Sequence, residues 1–320
     1  MKNTILITGA AGYIGSILAE TLSGSDDEIV LFDKNKLKHM NAFSTSICVE
    51  GDIANENDVN MLFAKYNPSI VIHLAAVSGV RLTEREKLDI KRTNEYGTDV
   101  LIRTMKNYSC ENIIFSSSCA VYGNHPYECF ETTKTDPISL YGKSKLYAEN
   151  KLLNSGLNCT ILRLGNVIGS NESNTLGSKN QTIIRSYTDT VHGKRNSLEI
   201  YGKSFPSEDG TAVRSFVHVL DVVTIIDMIL KNRLYKSKHH ILNISAYTMT
   251  IYQVVDELIK IFKQPVNVTF KNRRKTEIGI SRINSNKMKN LLGWYPKYSN
   301  FSETILSSRE WYLNRSYKVE

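Results

Sequence analysis

Apolar residues in the first half of this 320-residue chain come in short uninterrupted runs rather than in alternation with polar ones. Ile5–Thr8, Ile29–Phe32, Ile47–Val49, Ile70–Leu74, Ile113–Ser116 and Thr160–Leu164 read as strands. The stretches Ile14–Leu22, Val59–Tyr66, Thr93–Lys106 and Tyr141–Leu153 read as helices between them. Strand runs without polar alternation, separated by helices, predict a parallel sheet covered on both faces. The expected fold class is α/β, a doubly wound parallel sheet of Rossmann type with a smaller interleaved lobe. The pattern loosens after Ile168, and residues 169–202 are polar and glycine-containing, as suits a lobe inserted above the sheet. Val217–Val219 and Ile241–Ile244 read as later strands flanking a helix over Val222–Leu230. Val254–Phe262 and Met288–Leu292 read as short amphipathic helices. No repeat, low-complexity tract or linker separates the parts. The predicted division is therefore one domain over 1–168, completed by about 217–244, and a second lobe over 169–216 and 245–320.

Composition narrows the class. Hydrophobic residues make up 41% of the chain, ordinary for a globular protein with a sizeable core. No apolar run approaches the roughly 20 residues that a membrane helix needs. The apolar start, Ile5–Thr8, reaches a glycine turn too soon for a signal peptide and reads as a buried first strand. Five cysteines, at 48, 110, 119, 129 and 159, are scattered, odd in number and free of any Cys-x-x-Cys pair. Reduced thiols in a cytoplasmic protein are expected, with neither a disulfide framework nor a metal site. The net charge is +8. No aromatic-interleaved RNA motif or cysteine–histidine finger accompanies it, so nucleic acid and membrane are not expected partners. Two readings of the charge stay open: a lysine-rich surface, and a positive cleft that favours an anionic diphosphate.

Thr8-Gly9-Ala10-Ala11-Gly12-Tyr13-Ile14-Gly15 follows the first strand and opens the first helix. Glycines at Gly9, Gly12 and Gly15 permit a tight turn and a close backbone approach to a pyrophosphate. Asp33 ends the second strand, where a carboxylate accepts hydrogen bonds from an adenosine ribose and repels a 2′-phosphate, favouring NAD over NADP. Lys34 and Lys36 beside it work against that preference. Asp52 and Ile53 follow the third strand at the expected adenine edge, and Leu74, Ala75 and Ala76 end the fourth with small residues where a cofactor passes. Ser116-Ser117-Ser118 ends the fifth strand, at the carboxyl edge where such sheets bind ligands. Tyr141 and Lys145 lie four apart on one helix face, and an ammonium beside a phenol favours the phenolate. His73 and His218, inside apolar runs, read as structural histidines.

These residues, with the tail Lys287–Pro296, resemble the extended short-chain dehydrogenase/reductase family over nearly the full chain. The segment from Ser197 through Glu208-Asp209-Gly210-Thr211 to Val219 is similar to the substrate lobe of its UDP-glucose 4-epimerase branch, and Ser116–Gly123 suits that branch too. The resemblance implies Ser118, Tyr141 and Lys145 as the catalytic set. It implies NAD held also by Tyr13, Ile14, Lys34, Asn35 and Asn94, and a UDP-sugar held by Ser118, Asn166, Tyr201, Arg214, Arg274 and Glu277. It further implies a homodimer through the helices near Thr93–Lys106 and Tyr141–Leu153, and a pocket in which the small Ser281 leaves room for an N-acetyl group. The implied activity is NAD-dependent inversion at C4 of a nucleotide sugar, with a 4-ketoreductase or dehydrogenase, or a non-catalytic dinucleotide sensor, as alternatives. Three positions depart from that branch: Ser78 stands for a lysine, Gly165 for an aromatic and Glu277 for an aspartate, and Gly79-Val80-Arg81 looks like other sugar-nucleotide epimerases.

Overall fold

The structure is a computed structural model that describes residues 2–35, 46–79, 83–173, 176–178, 182–274 and 276–316. Lys36, Val80 and Arg81, singled out above, lie outside the described residues. In chain order the elements begin β1 (Thr4–Thr8), α1 (Tyr13–Leu22), β2 (Glu28–Asp33), β3 (Ile47–Glu50), α2 (Glu56–Tyr66) and β4 (Ile70–His73). There follow α3 (Glu84–Ile90), a π-helical turn (Lys91–Tyr96), α4 (Gly97–Asn107), β5 (Asn112–Ser118), α5 (Leu140–Leu153) and β6 (Asn158–Leu164). Next come β7 (Asn166–Ile168), α6 (Ile183–Val191), β8 (Leu198–Tyr201), β9 (Val213–His218), α7 (Val219–Lys231) and β10 (His239–Ile244). The chain ends with β11 (Tyr247–Thr250), α8 (Ile251–Phe262), β12 (Val268–Lys271), β13 (Ile280–Ser281), α9 (Asn286–Leu292) and α10 (Phe301–Ser316).

The chain divides into two compact units. The first comprises Met1–Val121, Ser139–Arg163 and Val223–Leu242. Its seven-stranded sheet has the order β10-β6-β5-β4-β1-β2-β3, and β1 pairs in parallel with both β2 and β4. Ile5, Leu6 and Ile7 are all essentially buried, so both faces of β1 are covered, as the unalternated runs require. Leu6, Val30, Phe63, Val71, Leu101, Phe115 and Ile161 join one core cluster. The order reverses direction between β1 and β4, so the carboxyl ends of those two strands open the crevice where doubly wound sheets bind ligands.

The second unit comprises Tyr122–Ile138, Leu164–Val222 and Asn243–Glu320. The sequence reading leaves 122–138 inside the first domain and has Val217–Val219 help complete it, whereas both segments pack in the second unit. Here β9 is central, with β11 antiparallel on one edge and β7 and β13 parallel in tandem on the other. A separate parallel pair joins β8 to β12. The core of this unit gathers Ile168, Tyr187, Leu198, Phe216, Val254, Leu258 and Ile305.

One helix differs from expectation. Thr93–Lys106 continues backward through the π turn into α3, whose start is set by a capping box between Thr83 and Glu86. The segment Glu84–Asp89 is almost wholly polar, so its helicity left no apolar stripe to read.

Candidate active site

The glycine turn is dictated by contact. Gly9 has φ +73°, and a Cβ there would sit 2.5 Å from the Ala75 nitrogen. A Cβ on Gly15 would lie 2.3 Å from the Gly9 oxygen. Gly12 is the N-cap of α1 and offers no side-chain hydrogen bond to the first turn. An uncapped helix start presents backbone N–H groups and the positive end of the helix dipole, which suits a pyrophosphate. The residues present therefore fit a dinucleotide.

Asp33 is buried at the end of β2. Its Oδ2 accepts from the Ala11 N–H at 3.0 Å. Its Oδ1 accepts from the Asn35 backbone N–H at 2.8 Å and from Asn35 Nδ2 at 3.0 Å. The carboxylate thus ties the glycine turn to the loop after β2, and Asn35 serves it; Lys34 is exposed. Asp52 Oδ1 accepts from the Ala54 N–H at 2.9 Å, and Oδ2 pairs with Arg92 at 2.5 Å. Burial raises its pKa, but those bonds and charges outweigh it and hold the carboxyl below its ordinary value. Ile53 is buried in the core, so only its backbone is available to a ligand. Leu74 N–H donates to the Thr8 carbonyl at 3.1 Å, placing Leu74, Ala75 and Ala76 against the glycine turn.

Asn94 lies in the π turn. Its Oδ1 accepts from the Val77 N–H at 2.8 Å, while Nδ2 donates to the Val77 carbonyl at 2.9 Å and to Ser144 Oγ at 3.0 Å. It shapes the loop after β4 and braces α5.

Ser139 caps α5 by accepting from the Gly142 N–H at 3.0 Å, which sets Tyr141 in the first turn. Ser118, at the end of β5, accepts from the Ala120 N–H at 3.2 Å. Its own hydrogen is then available to the Tyr141 phenol, whose pKa Ser118 pulls down against the rise from burial. Lys145 is 2% exposed; its Nζ donates to the Ser116 carbonyl at 2.7 Å and lies 5.9 Å from the Tyr141 ring centroid. The structure thus brings the three predicted residues together.

Burial works against the phenolate that the Tyr141–Lys145 spacing favours. Burial pushes the Tyr141 phenol up to about 12 despite the Ser118 bond. Burial also lowers Lys145 to about 7, although Glu149 opposes that shift. Desolvation disfavours the charged forms of both groups.

Sequence reasoning missed the polar group behind Lys145. Glu149 is fully buried and accepts a fork from Arg163, with Nη2 to Oε2 at 2.7 Å and Nε to Oε1 at 3.1 Å. Ser117 Oγ also donates to it. Two signals were available: Glu149 stands four residues after Lys145 on the same helix face, and Arg163 interrupts an apolar strand.

In the second unit, Arg214 Nη2 donates to Glu277 Oε1 at 2.9 Å, and Arg274 Nη1 lies 3.5 Å from Glu277 Oε2. The Arg274 guanidinium stacks 3.5 Å from the Tyr201 ring centroid. Four predicted substrate residues therefore form one cluster. Two guanidiniums share one carboxylate, and buried Glu277 Oε2 accepts no hydrogen bond from the described residues, so the cluster keeps both positive charge and an acceptor for a ligand. Asn166 Nδ2 donates to the Ser215 carbonyl at 3.0 Å. Ser281 pairs with Arg214 in the β13–β9 register and is 8% exposed. A Cβ on Gly165 would meet the Ser215 oxygen at 2.9 Å, which explains why no aromatic stands there. The Glu208–Thr211 segment is a tight loop: Gly210 has φ +75° and Asp209 Oδ1 accepts from the Thr211 N–H at 2.8 Å.

Strand order, glycine turn and the Ser-Tyr-Lys constellation define a dinucleotide-binding α/β protein. The chain belongs to the NAD dependent epimerase/dehydratase family, which it matches over residues 5–245, within the extended short-chain dehydrogenases/reductases. It is 28% identical to the UDP-glucose 4-epimerase of Rhizobium meliloti (strain 1021) over 98% of both chains. Its fold superposes with a TM-score of 0.87 on the UDP-glucose 4-epimerase from Bifidobacterium longum in complex with NAD+ and UDP, at 25% identity and 98% coverage of both. With the UDP-Glc/GlcNAc 4-epimerase from Campylobacter jejuni the TM-score is 0.82 at 28% identity, covering 97% of this chain and 98% of that one. Among the described residues there is no cluster of metal-ligating side chains and no helix long and apolar enough to cross a membrane.

Proposed function

We propose that this chain is an NAD-dependent nucleotide-sugar 4-epimerase acting on UDP-glucose and UDP-galactose and on their N-acetyl forms, by way of a transient 4-keto sugar. The observation that carries this reading is Tyr141 in the first turn of α5 with Lys145 Nζ 5.9 Å from its ring centroid and Ser118 acting on the phenol from the carboxyl end of β5. Gly9–Gly15, Asp33, Asn35, Asp52, Leu74–Ala76, Asn94, Tyr141 and Lys145 form the cofactor set. NAD, when bound, supplies a hydride acceptor and a positive ring charge. A positive charge near Tyr141 offsets its burial and favours the phenolate. Tyr141 Oη then takes the proton of the sugar 4-hydroxyl, Ser118 Oγ hydrogen-bonds the same sugar oxygen, and Tyr141 returns the proton after the sugar has turned. Arg214 and Arg274 anchor the diphosphate by guanidinium forks, and Glu277 Oε2 accepts from the ribose. Anchoring by the nucleotide lets the sugar turn without leaving.

The test is proton NMR of the purified protein with UDP-glucose and no added NAD. Appearance of UDP-galactose resonances is expected. A requirement for stoichiometric NAD or NADH would indicate a net dehydrogenase or reductase instead, and no turnover with any UDP-hexose would leave a dinucleotide-sensing role.

The same reading makes the protein a cytoplasmic homodimer. All five cysteines are free thiols, as a reducing compartment requires. Leu88 and Tyr96 are 68% and 45% exposed beside a cavity of about 570 Å³ that also touches Tyr147 of α5. Leu88, Tyr96 and Tyr147 stand there among Asp89, Lys91, Arg92, Glu95 and Asp99; this mixed surface suits a second copy of the chain, and light scattering at micromolar concentration should return the mass of a dimer.

A further inference from the structure

His73, at the end of β4, is buried and is not needed by the mechanism above. The polarity of the hydrogen bonds around it is nevertheless determined. Thr98 Oγ1 donates to the Asn94 carbonyl at 2.7 Å, which commits its only hydrogen. Its 3.2 Å contact with His73 Nε2 must therefore be an Nε2–H donating to Thr98. On the other side, Thr8 Oγ1 lies 2.7 Å from His73 Nδ1 and accepts from the Ala75 N–H at 3.4 Å. Thr8 then has one hydrogen to give, and an unprotonated Nδ1 takes it. Beyond Thr98 the run continues through Asn94, whose Nδ2 donates to Ser144 Oγ at 3.0 Å. Ser144 Oγ in turn donates to the Tyr141 carbonyl at 2.8 Å. Two hydrogen-bonded runs, joined through the covalent frame of buried Asn94, thus lead from the residue before Gly9 to the backbone of Tyr141, and each hydroxyl hydrogen along them has one acceptor.

We propose that His73, as its neutral Nε2–H tautomer, is a positioning residue that ties the glycine turn to the first turn of α5. The proposal rests on the assignment of Tyr141 as the base and of the glycine turn as the cofactor site. Phe115 stacks on the imidazole with ring centroids 5.6 Å apart, which fixes its plane. Burial keeps the ring unprotonated, and the nearby Lys145 charge adds to it, together lowering its pKa to about 3. A carbon in place of Thr98 Oγ1 breaks the path in the middle while leaving every residue that touches ligand in place.

The experiment compares the wild type with Thr98→Val and Thr98→Ser. In ¹⁵N-histidine spectra of the wild type, with His73→Gln used to assign the ring, His73 should show the neutral Nε2–H pattern throughout the pH range of the folded protein. Thr98→Val should lower kcat by roughly ten- to a hundredfold, the order expected of a small misplacement of reacting groups. Its KM for UDP-glucose should stay within about twofold, and its melting temperature should confirm that it folds. Thr98→Ser, which keeps the hydroxyl, should restore the rate. An Nδ1–H tautomer, a ring that titrates near neutrality, or a folded Thr98→Val with an unchanged rate would each overturn the proposal. Loss of all activity on Tyr141→Phe, alongside an unchanged Thr98→Val, would keep the catalytic reading and sink only the positioning role.

Discussion

Lys145→Met replaces a buried ammonium by an unbranched apolar side chain of similar length. In the folded chain burial lowers this amine from 10.5 to about 7, and at 2% exposure solvent screening is slight. The unfolded chain keeps the proton up to its ordinary pKa. Between pH 7 and pH 10.5 the unfolded state therefore binds more protons, and stability rises with pH. Lys145 destabilises the fold by about 5 kcal/mol at pH 6 and by about 2 kcal/mol at pH 9, an order-of-magnitude result from the shift. The wild type should gain roughly 2–3 kcal/mol on the methionine variant across that interval. Loss of the 2.7 Å bond to the Ser116 carbonyl costs the variant a fixed amount of about 1 kcal/mol that does not change with pH. The assay is urea unfolding of both NAD-free proteins at several pH values, with turnover measured on the same samples. The variant should be inactive, and its stability relative to wild type should be highest at low pH and fall as pH rises. A difference independent of pH, or one that moves in the opposite direction, would refute the argument that burial depresses this lysine.

Tyr141→Phe should abolish sugar interconversion while leaving NAD bound, because only the ionisable oxygen is removed; near wild-type turnover in NMR assays would mean another group is the base. Asp33→Ala should narrow the preference for NAD over NADP and weaken NAD binding by roughly ten- to a hundredfold, since hydrogen bonds to a charged group are worth about 1.5–3 kcal/mol; a wild type that reconstitutes better with NADP in fluorescence titrations would contradict it. Ser281→Tyr should suppress N-acetyl substrates selectively, because overpacking of roughly 1–3 kcal/mol falls on the larger sugar; equal loss of UDP-glucose and UDP-N-acetylglucosamine turnover, or no loss of either, would remove Ser281 from the pocket.

Much of the first unit was legible as sequence. Every strand expected there through Thr160–Leu164 occurs within two residues of its observed bounds: the central strands are buried on both faces and leave uninterrupted apolar runs, while the edge strand β3 is half exposed. The glycine turn and the Tyr141–Lys145 pair were readable because local geometry constrains their types and spacing, whereas Ser118 was reached through its place at a strand's carboxyl end and the family resemblance. The second unit was mostly illegible. Strands β7, β8, β11, β12 and β13 are two to four residues long, and α6 lies in a stretch that reads as polar lobe.

Tertiary structure alone decided three things. It brought Arg274 and Glu277, in a loop after β12, to Arg214 on β9, some 60 residues away along the chain. It placed β9 in the second unit's sheet, although its apolar run matches the strands of the first. It also set the charges: Tyr141 and Lys145 stand four apart in any helix, but only the packing of Phe115, the Ser116 carbonyl and Glu149 around them determines how far each is desolvated. Spacing and turn chemistry are local and are written in the residue order. Burial and long-range pairing depend on what the rest of the chain packs against, and no local pattern encodes that.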